Sequence, residues 1–286
     1  MSRGKRSVEV VVISDVHLGT YGCHANELLQ YLRSIEPGTL VLNGDIIDIW
    51  QFSKRYWPKS HMQVVKHLAG LMANGTPIYY VTGNHDEMLR KFEGFKLGSL
   101  RIVNKVLMEL DGKIAWVFHG DVFDVTMQHS KWLAKLGAVG YDTLIVLNRF
   151  VNWFSETILK RGKLSLSKKI MDSVKSAVKF INDFEHTAAG IAISNGYDYV
   201  VCGHIHQPTM REVATENGSV TYLNSGDWVE NLTALEYHEG TWKVYRYMDD
   251  VHARNVSKLE PMEEVPYRTS KELFNDLVTE FNVVRA

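Results

Sequence analysis

The stretch VEVVVISDVH, residues 8–17, joins an almost uninterrupted apolar run to a polar end. Such a run of β-branched residues is typical of a strand that is buried on both faces of a parallel sheet. Further along the chain, the hydrophobic spacing predicts helices over 26–35 and 61–72, with strands over 39–43 and 77–82. Strands and helices that alternate with short loops predict an α/β fold, a parallel sheet with helices on its faces.

The second half of the chain changes its pattern twice. Short strands are predicted over 100–103, 106–110, 113–118 and 198–202, while residues 124–195 have a helical pattern rich in aromatic and basic residues. Hairpin turns at Asn217-Gly218 and Glu239-Gly240 then predict antiparallel strands up to residue 247. We expect a domain over residues 1–248 with a helical insertion over 122–195. A tail over 249–286 follows, with an amphipathic helix over 269–281 that a Thr269/Glu272 capping box opens.

The composition is that of an ordinary folded chain. The 286 residues are 45% hydrophobic, with 32 Lys+Arg against 33 Asp+Glu, which excludes a disordered or collagen-like protein. Two cysteines, Cys23 and Cys202, cannot form a disulfide framework and favour a reducing compartment. The apolar run after the basic start ends at Ser14-Asp15. This run is too short for the hydrophobic region of a signal peptide. We therefore expect a cytoplasmic protein.

Five short polar segments stand out, and four of them directly follow a predicted strand. Because the carboxyl ends of parallel strands share one rim of a sheet, these segments should meet there. Their oxygen and imidazole ligands, without a thiolate, suit Mn, Fe or Zn, and the adjacent glycines allow close backbone approach. Each segment alone is unspecific, but structural needs alone hardly explain the presence of all five in this order. They are Asp15-Val16-His17, Gly44-Asp45-Ile46-Ile47-Asp48, Gly83-Asn84-His85-Asp86, His119-Gly120-Asp121 and Gly203-His204-Ile205-His206.

This pattern resembles that of the calcineurin-like metallophosphoesterase superfamily, from Asp15 to His206 and more weakly to Tyr247. The resemblance implies an αββα sandwich, in which two mixed sheets are flanked by helices, and a site for two divalent ions, Mn²⁺ first, with Fe or Zn as alternatives. Two such ions can activate water and neutralise phosphate oxygens. The implied ligands are Asp15, His17 and His206 for the first ion, Asn84, His119 and His204 for the second, and Asp45 as a bridge between them.

The resemblance also implies roles for residues beside the metals. His85 would face the substrate phosphate, together with Asn84, and would be held by Asp48. An imidazole in that place could give a proton to the leaving oxygen, and a carboxylate would fix its tautomer. Asp86 and Asp121 could be orienting partners or turn residues, and for Asp121 we expect a turn residue.

Within the superfamily, the chain resembles the UDP-2,3-diacylglucosamine diphosphatases. The resemblance lies in DVHL (15–18), the insertion after HGD (119–121), GHIHQP (203–208) and SGDW (225–228). It implies hydrolysis of the diphosphate in a nucleotide- and lipid-linked substrate to UMP and a lipid-sugar phosphate, with the insertion as a lid over acyl chains. Because His85 stands where the well-known members have Arg, other specificities remain open: a phosphomonoester, phosphodiester or phosphoprotein phosphatase. A non-catalytic binding scaffold is disfavoured, because all seven ligand positions and His85 are present.

The charge is distributed unevenly along the chain. Between residues 129 and 181, ten lysines and arginines face three acids, a net charge of +7, so the remainder carries about −8. The same segment holds Leu144, Leu147 and Phe150, which we expect to contact acyl chains or an anionic membrane surface at the inner face of the cytoplasmic membrane, although packing onto the core is the alternative. A nucleic-acid partner is not expected, because the basic residues cluster with apolar ones. The oligomeric state is not predicted.

The loop after Asp48 carries two candidate substrate contacts, Trp50 and Arg55. An aromatic ring can stack on a nucleobase and a guanidinium can hold phosphate, so this loop could bind the nucleotide. A surface loop that packs against the insertion is an equally good interpretation.

Overall fold

The computed structural model describes residues 5–50, 56–125, 166–251 and 253, with side chains except those of 124–125 and 166–178. The strands are β1 (Arg6–Ile13), β2 (Ile35–Asn43), β3 (Ile78–Val81), β4 (Lys96–Leu97), β5 (Leu100–Val103), β6 (Val106–Leu110), β7 (Lys113–Val117), β8 (Tyr199–Cys202), β9 (Thr209–Thr215), β10 (Gly218–Asn224), β11 (Thr233–His238) and β12 (Thr241–Arg246). The helices are α1 (Ala25–Ser34), α2 (Lys59–Ala73) and α3 (Leu166–Ser194), with short 3₁₀ helices over Glu87–Phe92, Asp121–Val125 and Tyr247–Asp249.

The strands form two mixed sheets. The seven-stranded sheet has the order β12-β11-β1-β2-β3-β5-β4, and its strands β1, β2, β3 and β5 are parallel. The five-stranded sheet has the order β6-β7-β8-β10-β9, with β7, β8 and β10 parallel and an antiparallel strand at each edge. The two predicted hairpins are confirmed but belong to different sheets, since β9 and β10 join the second sheet whereas β11 pairs with β1 of the first.

Three buried clusters fill the spaces between four layers. One lies between the seven-stranded sheet and helices α1 and α2, one between the two sheets, and one between the five-stranded sheet and α3. On β1, Val11 and Ile13 belong to the helix-side cluster, whereas Val10 and Val12 belong to the cluster between the sheets. Successive side chains of a strand point to opposite faces, so a strand in the middle of this sandwich must be apolar on both. The expected αββα sandwich is confirmed.

Most predicted element boundaries agree with the structure within two residues, and one differs more. The strand predicted over 39–43 begins at Ile35, because β2 pairs with β1 from its first residue, with Arg6 opposite Ile35. Pro37-Gly38 therefore lies within a strand, and a side chain at Gly38 would meet the carbonyl oxygen of Glu9 at 2.8 Å. The predicted helical pattern before residue 195 agrees with α3. Residues 126–165 of the insertion and the predicted tail helix over 269–281 lie outside the described residues.

Within the part of the chain that the structure describes, no helix combines the length and apolar character needed to cross a membrane.

Candidate metal centre

The polar segments meet at one rim of the sandwich. Each follows the carboxyl end of a strand: β1, β2 and β3 in the first sheet, β7 and β8 in the second. The ring centroids of His17 and His85 lie 4.7 Å apart, those of His119 and His204 5.2 Å apart, and those of His17 and His206 5.6 Å apart. Residues separated by about 190 positions thus form one cluster, as expected for strand ends that share a rim.

Two sets of side chains in this cluster have the spacing of metal ligands. In each set the ligand atoms lie within 4.8 Å of one another: Asp15, His17 and His206 form the first, and Asp45, His119 and His204 the second. Asp45 Oδ2 lies 3.3 Å from His119 Nε2. The structure thus brings together the residues that the resemblance implies for the first ion, and His119 and His204 of the second with Asp45, while the roles of Asn84 as a ligand and of Asp45 as a bridge stay predictions.

The backbone at these residues is unusual. Eight described residues other than glycine have positive φ, and five of them are the expected ligands Asp15, His17, Asp45, His204 and His206, with φ between 50° and 65°. This left-handed conformation is costly for residues with a side chain and is concentrated at functional sites. The turns are held by backbone hydrogen bonds, in which the amides of residues 16 and 17 both donate to the carbonyl oxygen of Asp45 at 2.9 Å.

Hydrogen bonds fix which imidazole nitrogen faces the centre. His119 Nδ1 lies 2.9 Å from the carbonyl oxygen of Asn43, and because a carbonyl only accepts, this nitrogen carries the proton. Nε2 therefore faces the centre, 3.3 Å from Asp45 Oδ2, and loss of its proton would free a lone pair for a metal ion. His17 is oriented similarly but more loosely, with Nδ1 3.5 Å from Asp48 Oδ2 and a buried Nε2. Such outer carboxylates and carbonyls orient metal-binding histidines in many proteins.

Buried atoms without hydrogen-bond partners test whether these residues fit a metal ion. In the described part of the chain, four ligand atoms at this rim lack a hydrogen-bond partner outside the cluster. His17 Nε2 and Asn84 Oδ1 have no partner, whereas Asp15 Oδ1 and His119 Nε2 contact only other expected ligands, His206 Nε2 at 3.1 Å and Asp45 Oδ2 at 3.3 Å. Buried polar atoms are almost always paired, so a group of unpaired ones requires an explanation. Every one of the four can offer a lone pair, and oxygen and imidazole donors suit Mn, Fe or Zn. The residues therefore fit divalent cations.

The electrostatics of the cluster couple metal binding to pH. Burial alone would raise the pKa of Asp15, but the charges of His206 and His119 lower it to about 2. Burial likewise disfavours the imidazolium of His206, yet Asp15 and Asp227 raise its pKa to about 9. Without a metal, the carboxylates are thus paired with protonated imidazoles. Since a ligand must lose its proton, the affinity for a metal should fall as the pH falls.

His85 lies beside the two sets, and its side chain is held by a carboxylate as expected. Its Nδ1 lies 2.9 Å from Oδ2 of the buried Asp48, and its amide donates to Asp45 Oδ1 at 2.8 Å. Burial lowers the pKa of His85, but the hydrogen bond to Asp48 and the charge of Asp45 raise it more. His17, Asp48 and His85 also have the spacing of a third ligand set. Because Nδ1 of His85 is taken by Asp48, we interpret this set as an oriented imidazole rather than a metal site.

The aspartates that end two of the motifs, Asp86 and Asp121, have structural partners that could not be identified from the sequence alone. Asp86 accepts hydrogen bonds from the amides of Ile46 and Gly83 and from the hydroxyl of Tyr80, at 2.6–3.0 Å, and so ties the second motif to the third. Asp121 begins a 3₁₀ helix, which is compatible with the turn residue that the sequence predicts. Its buried carboxylate also pairs with Arg90, a partner that the sequence did not predict.

Residues at the end of β10 and in the loop after it support the first and last motifs, a role that sequence reasoning missed. Asn224 Nδ2 donates to the carbonyl oxygen of Gly203 at 2.8 Å, and Asn231 Nδ2 donates to that of His206 at 3.0 Å. The amide of Trp228 donates to the carbonyl oxygen of Asp15 at 3.1 Å. In the sequence, the SGDW stretch (225–228) stands out only by its resemblance to the known diphosphatases. Polar residues directly after a buried strand are the signal that could have indicated its structural role.

Glycine is required where two motifs approach each other most closely. Gly44 has φ +82°, and a side chain there would overlap the imidazole of His119. At Gly83 a side chain would overlap the carboxylate of Asp45. The sequence-based expectation that glycines allow close approach is confirmed at both positions.

The remaining candidate substrate contacts are only partly described. Trp50 is 65% exposed, and its ring lies 5.9 Å from that of His85, so it stands beside the rim. Arg55, Leu144, Leu147 and Phe150 lie outside the described residues, so their contacts stay predictions.

Comparison with known proteins identifies the family. The family model described as calcineurin-like phosphoesterase matches residues 8–208. The chain belongs to this family. The chain is similar to a UDP-2,3-diacylglucosamine hydrolase of Vibrio cholerae serotype O1, which is 24% identical over 250 residues, 82% of this chain and 95% of the relative. A protein of the same name from Stenotrophomonas maltophilia is 23% identical over 248 residues, 81% of this chain and 96% of the relative.

Among the solved structures to which the chain is similar is that of Yfce, a phosphoesterase from E. coli. It is 14% identical, with a TM-score of 0.42 over 84% of this chain and 93% of its own.

Proposed function

We propose that the protein is a hydrolase with two divalent ions that cleaves the diphosphate of a UDP-2,3-diacylglucosamine-like substrate to UMP and a lipid-sugar phosphate. The observation that carries the metal-dependent part is the pair of carboxylate–imidazole sets at one rim, with four buried ligand atoms that have no hydrogen-bond partner outside the cluster. Asp15, His17 and His206 would hold one ion, Asn84, His119 and His204 would hold the other, and Asp45 would be shared between them. Mn²⁺ is the proposed metal.

When bound, the two ions supply positive charge for the phosphate oxygens and activate a water molecule for attack at neutral pH. The chain itself supplies the rest of the chemistry. Asp48 holds the ring of His85 through Nδ1, which leaves Nε2 to donate a proton or hydrogen bond to the leaving oxygen. The raised pKa of His85 favours the protonated ring that such a donor needs. Proton donation matters most when the leaving oxygen is a poor leaving group.

The substrate part of the proposal rests on the relatives and on the charge of the insertion. Hydrolases named for UDP-2,3-diacylglucosamine match almost over their whole length. The segment between residues 129 and 181 combines a net charge of +7 with Leu144, Leu147 and Phe150, which suits acyl chains and an anionic surface. The protein would act in the cytoplasm, at the inner face of the cytoplasmic membrane, with the insertion as a lid. Trp50 and Arg55 would contact the nucleotide.

A second candidate is a phosphoesterase of another specificity on the same metal centre. The residue that favours it is His85, which stands where the well-known diphosphatases of this kind carry arginine. An imidazole held by a carboxylate is suited to protonating an alkoxide, which a simple phosphodiester or phosphomonoester releases.

Paired kinetics distinguish the two candidates. The protein, stripped of metal and reloaded with Mn²⁺, is assayed on UDP-2,3-diacylglucosamine and on bis-p-nitrophenyl phosphate. The proposal expects kcat/KM to be at least about 100-fold higher for the lipid-linked nucleotide, because each buried CH₂ adds about 0.8 kcal/mol. Hydrolysis of the aryl ester alone would favour the second candidate. Full activity after exhaustive chelation would contradict both.

A further inference from the structure

A cavity of about 440 Å³ opens beside the second ligand set. His119 forms one wall, so whatever occupies the cavity lies next to the proposed metal ions. Its volume is in the range of pockets that bind small molecules. The side chains that line it, among the described residues, are mostly not used by the proposed chemistry. They include Thr82, Arg90, Glu93, Asn104, Trp116 and Asp121.

The polar side of the cavity is organised in advance. Thr82 Oγ1 donates to Asn104 Oδ1 at 2.9 Å, and Arg90 lies against both Thr82 and the buried Asp121. A guanidinium held on two sides loses little freedom when it binds a further oxygen. Asn104 and Glu93 are exposed to solvent at the same cavity. Thr82, Asn104, Arg90 and Asp121 are thus held by one another, while Glu93 adds an exposed acceptor.

The charge of the cavity favours a neutral occupant. Its cations, Arg90 and Lys105, are matched in number by its acids, Glu93 and Asp121, and Arg90 is already paired with Asp121. A site for an additional phosphate would be expected to carry excess positive charge. Hydroxyl groups both donate and accept, so they can pair with the carboxylate, the amide and the guanidinium together.

The cavity lining also includes aromatic side chains. The rings of Trp116 and Phe118 are stacked, with centroids 4.0 Å apart and planes 21° apart, and both line the cavity. The apolar face of a sugar ring packs well on such an aromatic surface, while the hydroxyl groups at the edge of the sugar ring need the polar side chains of the cavity. We propose that this cavity is the subsite for a sugar ring attached to the scissile phosphate, with Glu93, Asn104 and Arg90 as its hydroxyl partners. The inference rests on the proposed function, which supplies the phosphate chemistry beside it.

Three p-nitrophenyl phosphodiesters with the same leaving group test this inference. The second substituent is glucosamine (through its 1-position), uridine (through its 5′-position) or propyl. For the Mn²⁺-loaded protein, we expect kcat/KM to be at least about tenfold higher for one sugar ester than for the propyl ester, the value of one good hydrogen bond. Preference for the glucosamine ester assigns the hexosamine to the cavity, and preference for the uridine ester assigns the ribose.

Variants at the exposed cavity residues separate recognition from folding. Glu93→Ala and Asn104→Ala should each lower the ratio of sugar-ester to propyl-ester kcat/KM by about tenfold. The matched control is Glu109→Ala, an exposed glutamate on β6 outside the cavity, which should leave the ratio unchanged.

Equal kcat/KM for the three esters in the wild-type protein would overturn the sugar subsite while the hydrolase remains. Equal losses on all three esters in the Glu93 and Asn104 variants would overturn it as well, since such losses indicate structural damage. A wild-type protein that hydrolyses none of the esters and no UDP-2,3-diacylglucosamine would overturn both this inference and the proposed function.

Discussion

Replacement of His85 by alanine should slow hydrolysis without changing the metal content. The ring is held by Asp48 at 2.9 Å and lies next to both ligand sets, so its loss removes a proton donor and leaves every proposed ligand in place. General-acid catalysis contributes roughly 10²–10⁴ in rate, so kcat should fall by that factor. This range corresponds to about 2.7–5.5 kcal/mol of transition-state stabilisation.

The dependence of the kcat loss on the pKa of the leaving group shows whether His85 acts by proton transfer. The assay measures kcat for a series of aryl and alkyl phosphodiesters whose leaving groups differ in pKa. In His85→Ala the loss should be small for p-nitrophenolate, which needs no proton, and largest for alkoxides. The control is His186→Ala, an exposed histidine on α3, which should follow the wild-type dependence.

Asp48→Asn keeps the shape of the partner but removes its charge. We expect a loss of about 10–100-fold, as is typical of an orienting carboxylate. If Asp48 acts only through His85, and not also through His17, whose Nδ1 lies 3.5 Å from it, the double variant should be no slower than His85→Ala alone. Loss of one metal equivalent in His85→Ala would refute the reasoning, because it would make His85 a ligand. An equal loss for every leaving group would refute it too.

Three further outcomes are expected. Asp45→Ala should abolish turnover and lower the metal content measured by atomic emission without unfolding the chain, and full activity in this variant would contradict the two-metal site. Burial raises the pKa of Glu236, but hydrogen bonds from Arg6 and Lys243 lower it by more, so the folded-state pKa lies below the usual 4.5. The contribution of Glu236 to the stability of the fold is therefore fully present above pH 4.5 and is lost as the pH falls through the folded-state pKa. Urea unfolding between pH 7 and 3 should therefore depend less on pH in Glu236→Gln. The triple variant Leu144→Ser, Leu147→Ser and Phe150→Ser should reduce salt-sensitive binding to phosphatidylglycerol vesicles and the preference for acylated over deacylated substrate, whereas the control Met248→Ser, at an exposed apolar residue outside the insertion, should not. Equal turnover of acylated and deacylated substrates by the wild-type protein would contradict the lipid proposal.

The position of the candidate metal centre could be predicted because each expected ligand follows the carboxyl end of a strand. The run before Asp15 indicates a buried parallel strand from its β-branched residues alone, and strand ends of a parallel sheet share a rim. Local sequence was therefore sufficient to bring the motifs to one place. The division into two sheets was not visible in this way, because it depends on β11 returning to pair with β1.

The supporting residues could not be predicted for a different reason. Asp86 accepts hydrogen bonds from the amides of Ile46 and Gly83, and Asn231 donates to the carbonyl oxygen of His206. Each role depends on which loop lies next to the side chain in space, and nothing in the local sequence distinguishes these residues from ordinary turn residues. Asp121 illustrates the point, since its partner Arg90 is 31 positions away.

The features that make this rim unfavourable without a ligand are the same ones that suit it to metal ions. A left-handed residue with a side chain costs about 1–3 kcal/mol, and the rim contains five of them. An unpaired buried polar atom costs about 1–3 kcal/mol as well, and the described rim contains two, His17 Nε2 and Asn84 Oδ1. Hydrogen bonds from the surrounding strands hold the turns, but they do not satisfy these two atoms, and the contacts of Asp15 Oδ1 and His119 Nε2 lie within the cluster itself. Divalent cations would satisfy those atoms together. Selection for folding alone would remove such strain, so its concentration at one rim argues that the rim is kept for catalysis.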